Sequence, residues 1–187
     1  MSSSAFLVMD VQRGIVARFG ERDGGYLPRL AHGIDVARGR GIPVIYVTVS
    51  FRPGYPEISA RNRIFSAVAG NAGLTPSDPA IQVHPDVAPL PDDVIVTKRR
   101  VSAFAGSDLD VVLRSLDVDT LVLTGIATSG VVLSTLRQAA DLDFRLTVLS
   151  DACLDADPEV HRVLMEKVFP RQADVRTVEQ WEADAGR

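Results

Sequence analysis

Three of the residues in this chain with evident chemistry follow apolar runs. Asp10 closes the run 5–9 (AFLVM), Lys98 closes 94–97 (VIVT), and a turn containing Gly125 follows 120–123 (TLVL). A carboxylic acid can move a proton in a reaction, and an ammonium can hold the charge that results. The type of Lys98 carries information. Of 20 basic residues only Lys98 and Lys167 are lysine, and Lys98 stands beside Arg99 and Arg100. Arginine stays charged, whereas lysine is a compact ammonium able to release a proton. A surface charge at a strand end is the plain alternative to a site lysine. The third element, residues 119–135, reads as a buried strand, a glycine turn and a helix N-terminus. Such a turn holds a side chain at its tip, close to backbone N–H groups able to stabilise an oxyanion.

The remaining reactive types are poorly placed. Cys153 is the single cysteine, so an intrachain disulfide is excluded, and a lone cysteine is more often a small buried hydrophobe. Ser129 and Ser134 flank the turn, with no histidine beside them to activate a hydroxyl. Ser129 reads more naturally as a helix cap. His32, His84 and His161 lie in separate elements without metal-ligand spacing, so neither a metal nor a cofactor is expected.

The elements that must position these groups alternate. Apolar runs at 5–9, 42–49, 94–97, 120–123 and 145–149, with a weaker one at 174–178, read as strands covered on both faces. Helical spacing spans 27–40, with Gly39 and Gly41 as stops. It recurs at 109–116 after Ser107-Asp108, at 131–141 after Thr128-Ser129, and at 158–168 after Asp157 with Pro158 in the first turn. Strand and helix in repetition predict an α/β fold, an open and mainly parallel six-stranded sheet with helices on both faces. Ligands bind such sheets at the C-terminal strand ends. Asp10, Lys98 and the Gly125 turn all fall on that edge. Residues 50–91 form a proline- and glycine-rich excursion with a helix-like piece at 57–69, as expected of a lid, a binding loop or an oligomer contact. Phe51, Tyr55 and Phe65 could wall a pocket there, or merely anchor the loop.

With 187 residues, 46% hydrophobic and 24% charged, the chain suits one soluble domain spanning 1–187. A net charge of −4 with scattered basic residues excludes a nucleic-acid footprint. No run approaches a membrane span and the N-terminus lacks signal-peptide character, so a cytoplasmic protein is expected.

Taken together, four segments resemble the isochorismatase-like, or cysteine hydrolase, superfamily over nearly the whole chain. These are FLVMD10VQ12, VTK98RRVSAF104, LTG125IATSGV131V and LSD151A. The resemblance implies a three-layer Rossmann-like fold and a small-molecule substrate. In amidase members an aspartate, a lysine and a cysteine form the catalytic group. By position these would be Asp10, Lys98 and Val131. The resemblance further implies a cis peptide between Ile126 and Ala127, a turn and oxyanion region at Ile126, Ala127 and Gly130, substrate contacts at Gln12, Phe51, Tyr55 and Phe104, and a homodimer or larger homo-oligomer. The zinc-binding Asp-x-His motif of some amidase members is replaced here by Ser50-Phe51-Arg52-Pro53.

Valine cannot form an acyl-thioenzyme. True isochorismatases carry glycine at this position and cleave a vinyl ether with the aspartate as proton donor, chemistry that needs an acid and a shaped pocket. Valine is bulkier than glycine and would intrude where a large ring would sit. One reading is therefore a hydrolase using Asp10 and Lys98 without a thiol. A second is a non-catalytic descendant that binds a small molecule or a partner. A third, a nucleotide-binding α/β protein, lacks a Gly-x-Gly-x-x-Gly loop.

Overall fold

The computed structural model describes residues 3–19, 25–70 and 73–184. Six strands form one sheet: β1 (Ser4–Met9), β2 (Val44–Val49), β3 (Val94–Lys98), β4 (Thr120–Ile126), β5 (Arg145–Leu154) and β6 (Asp174–Arg176). Their order is β3-β2-β1-β4-β5-β6, with every adjacent pair parallel. The connection direction reverses between β1 and β4, which opens a crevice at their C-terminal ends.

Helices cover both faces, as the unbroken apolar strands predict. In β1, Phe6 and Val8 face Leu30, Ile34 and Ala37 of α2 (Tyr26–Gly39) and Val178 of α7 (Val178–Asp184). Ala5, Leu7 and Met9 face the opposite core. That core receives Leu109 and Leu113 of α4 (Leu109–Ser115) and Leu136 and Ala139 of α5 (Leu133–Asp141). Among the described residues, no helix is long and apolar enough to cross a membrane.

Several boundaries differ from the sequence expectation. α1 (Arg13–Phe19) was not foreseen, and α3 (Arg63–Gly70) occupies only part of the helix-like 57–69 segment. Val178, expected in the last strand, begins α7. Thr177 and Gln180 form a capping box there, each side chain accepting from the other's backbone N–H at 3.2 and 2.9 Å. Beyond α6 (Pro158–Val163) the helix widens into a π-type turn over Leu164–Val168. As expected, Asp157 caps α6, accepting from the N–H groups of Glu159 and Val160. Of the other two expected capping pairs, one is half met and one is not. Asp108 makes no capping bond, and Ser107 Oγ instead accepts from Leu109 N–H at 3.3 Å. No side chain of the Thr128-Ser129 pair caps the following helix.

The excursion builds a core of its own. Phe51, Phe65 and Leu74 pack with Val49 from the end of β2, and the Phe51 and Phe65 rings meet edge to face at 5.2 Å. It is tied down at the C-terminal edge of the sheet, where the site lies.

Candidate active site

Asp10 follows the last residue of β1 with φ +58°, a left-handed conformation that aspartate tolerates better than most side chains. Its N–H still bonds Val47 O at 2.8 Å, so the chain turns immediately beyond the ladder and holds the carboxyl at the sheet edge. Lys98 is the last residue of β3. That strand is separated from β1 by β2, and the lysine side chain spans the gap: Nζ lies 2.9 Å from Asp10 Oδ2 and donates to Arg100 O at 2.9 Å. Both side chains are nearly closed to solvent, at 9% and 2% exposure. Asp10 Oδ1 is buried and has no hydrogen-bond partner among the described residues.

Two effects oppose each other at Asp10. Burial favours the neutral acid, while the charge and hydrogen bond of Lys98 favour the carboxylate. Burial is the larger, and the pKa is raised above the ordinary 3.8.

The turn after β4 completes the site. Gly125 has φ +132°, and a Cβ there would lie 2.1 Å from Met9 O, so only glycine allows β4 this close to the end of β1. The peptide between Ile126 and Ala127 is cis. The chain then enters a helical turn over Thr128–Val132 in which Val131 is 2% exposed. Two side chains brace this turn. Asp155 Oδ2 accepts from Ser129 N–H at 2.7 Å, and Thr128 Oγ1 shares a hydrogen bond with His161 Nδ1 at 2.8 Å. Ser129 is therefore held by its backbone, and Asp155 caps this helix end from a distant loop.

Asp10, Lys98, Ile126, Ala127, Gly130 and Val131 all line one cavity of about 240 Å³. Its other walls are Ile15, Arg18 and Phe19 of α1, Ile64, Phe65 and Val68 of α3, and Val49, Leu74 and Val101. Sequence reasoning missed α1 and most of this apolar wall. The signal was present in Ile15 and Phe19, and in Ile64 and Val68, each pair four apart on one helix face.

The other expected contact residues lie elsewhere. Gln12 is fully buried, and its amide donates to Val49 O at 3.1 Å and Ile81 O at 2.7 Å while its Oε1 accepts from Val49 N–H at 2.9 Å. It joins β2 to the excursion. Phe51 is buried behind Phe65, and the Tyr55 hydroxyl donates to Gly73 O at 2.7 Å. Phe104 packs near Phe144, with ring centroids 6.0 Å apart. None of the four lines the cavity.

Cys153 lines a separate cavity of about 410 Å³ with Arg29, Asp155 and His161. Burial pushes its thiol far above the ordinary range, which leaves it a poor nucleophile. Among the described residues, no three His, Cys, Asp or Glu side chains gather as a metal-binding set.

Residues 4–180 match the isochorismatase domain. An uncharacterised isochorismatase family protein of Bacillus subtilis, YwoC, is 33% identical over 178 residues, covering 95% of this chain and 92% of its own. The ureidoacrylate amidohydrolase RutB of Stutzerimonas stutzeri is 31% identical over 180 residues, covering 84% and 72%. Among solved structures, an isochorismatase family protein from Burkholderia thailandensis superposes with a TM-score of 0.83 at 29% identity, covering 99% of this chain and 96% of its own.

Proposed function

The chain belongs to the isochorismatase family, and from that premise we propose that it hydrolyses a small molecule through Asp10 and Lys98, without a thiol nucleophile. One observation carries this reading. Asp10 Oδ1 is buried without a partner beside a cavity whose described lining contains no Ser, Thr, Cys or His. A hydroxyl or thiol nucleophile has no atom to start from in that lining, whereas an acid–base mechanism has the Asp10 carboxyl group.

Burial raises the pKa of Asp10, which favours a proton on its carboxyl group. For a vinyl ether, Asp10 gives that proton to the terminal alkene carbon. Water adds to the ether-bearing carbon and returns a proton to the carboxylate. The hemiketal so formed opens to a carbonyl compound and an alcohol, and atoms balance. Lys98, 2.9 Å away, stabilises the aspartate while its proton is on the substrate. A rate that depends on the protonated acid falls as pH rises through the raised pKa. Direct attack of an Asp10-activated water on an ester or amide uses the same pair in the opposite order.

A screen of vinyl ethers, esters and amides tests the reading. Asp10→Asn is expected to lower kcat by about 100-fold or more on any substrate found, with affinity nearly unchanged. Turnover that survives in Asp10→Asn would sink the proposal. A screen without turnover, alongside retained ligand binding, would point instead to a non-catalytic binding protein. Val131→Cys addresses the turn separately, because gain of amide hydrolysis would mark position 131 as the seat of a lost nucleophile.

A further inference from the structure

The cavity has an unbalanced charge at its rim. Three charged residues line it: Asp10, Lys98 and Arg18. Asp10 and Lys98 are in direct contact with each other. Arg18 lies on the exposed side of α1, one turn beyond Ile15 and next to Phe19, and makes no ion pair or hydrogen bond with the described residues. The remaining walls are aliphatic or aromatic apart from the turn backbone. A single guanidinium therefore faces an apolar enclosure, where the weak dielectric response of the walls leaves its field less screened than on open surface.

We propose that Arg18 determines specificity by binding the carboxylate of a small monoanionic substrate, whose apolar body fills the cavity and whose reactive end meets Asp10. The proposal rests on the reading of this cavity as the active site. Its orientation follows from the partners already present. Lys98 Nζ already has one acceptor in Asp10 and another in Arg100 O, whereas the Arg18 guanidinium has none among the described residues. The carboxylate is thus directed to the rim, and the uncharged end of the molecule to the floor. A guanidinium presents paired donors that match the two carboxylate oxygens, which the point charge of an ammonium does not. A volume of about 240 Å³ accommodates a compact body such as a branched alkyl group. A phosphate monoester would bring a second negative charge with no second free cation at this rim among the described residues.

The test uses 3,3-dimethylbutanoate and its uncharged, unhydrolysable isostere 4,4-dimethyl-2-pentanone, titrated by saturation-transfer NMR against the wild-type protein. The carboxylate is expected to bind about tenfold more tightly, as one charge-assisted hydrogen-bonded contact allows. Arg18→Gln should remove that preference without changing ketone affinity, and Arg18→Lys should restore part of it. Arg18 is exposed, so both variants are expected to fold, with melting temperatures near wild type as the check. Equal binding of the two ligands, a preference that persists in Arg18→Gln, or no carboxylate binding at millimolar concentration would each overturn the proposal. The outcome is separable from catalysis. A carboxylate preference that depends on Arg18 in a protein without turnover would leave this proposal standing and the hydrolase reading failed. Turnover whose KM is indifferent to Arg18→Gln would do the reverse.

Discussion

Removing one member of the Asp10–Lys98 pair strands the other charge where little water reaches it. Lys98→Met keeps most of the side-chain volume while deleting the ammonium, and is expected to destabilise the fold by about 3–5 kcal/mol near neutral pH. The double variant Asp10→Asn/Lys98→Met should recover most of that loss, because no charge is then left buried. Urea denaturation of the single and double variants measures both effects. The pH dependence has a definite sign. With Lys98 gone, the folded-state pKa of Asp10 lies further above its unfolded value of 3.8, so the folded protein takes up the proton first and acidification stabilises the single variant. The sequence made this pair legible as a candidate, since Asp10 and a lysine kept beside two arginines both fall at C-terminal strand ends, where a surface charge was the plain alternative. It did not reveal which effect prevails at Asp10. That depends on how completely neighbouring elements close over the carboxyl group, and burial leaves no local mark in sequence.

The turn between β4 and α5 owes its placement to groups remote in the chain. Asp155 and His161, which line the cavity of Cys153 and not that of Asp10, hold Ser129 and Thr128. His161 is half-buried, and that burial lowers its pKa below the ordinary 6.5, against an opposing pull from Asp155. The unfolded chain therefore takes up a proton before the folded one as pH falls. Stability should drop as pH decreases through about 6.5 and level off below the folded-state value. Melting temperatures between about pH 7.5 and pH 5 measure the slope, and His161→Gln should flatten it. These braces were hidden in the sequence, as was α1 with its three cavity residues. The sheet was easier, because unbroken apolar runs have one economical explanation. Helix α7 could have been found, since Thr177 and Gln180 carry the spacing of a capping box next to the valine assigned to a strand.

At the scale of the molecule, Gln12 joins the excursion to the sheet. Its amide makes three hydrogen bonds to the backbone of Val49 and Ile81. Gln12→Leu leaves those groups without this partner and is expected to cost about 1–3 kcal/mol. Amide hydrogen exchange should accelerate around Ile81 and in α3, while the centre of the sheet stays protected. Unchanged exchange in α3 would mean that the excursion is held by its own apolar core. The sequence placed an excursion here and left its aromatics either to wall a pocket or to anchor the loop. A glutamine two residues after a site aspartate could face a ligand or the backbone, and only packing decides. The span of Lys98 across the end of β2 has a further consequence, in time. Its contact with Asp10 joins two strands that never touch, so it forms only after β1, β2 and β3 have docked. Any activity regained during refolding would therefore trail the return of secondary structure and act as a clock for the finished sheet.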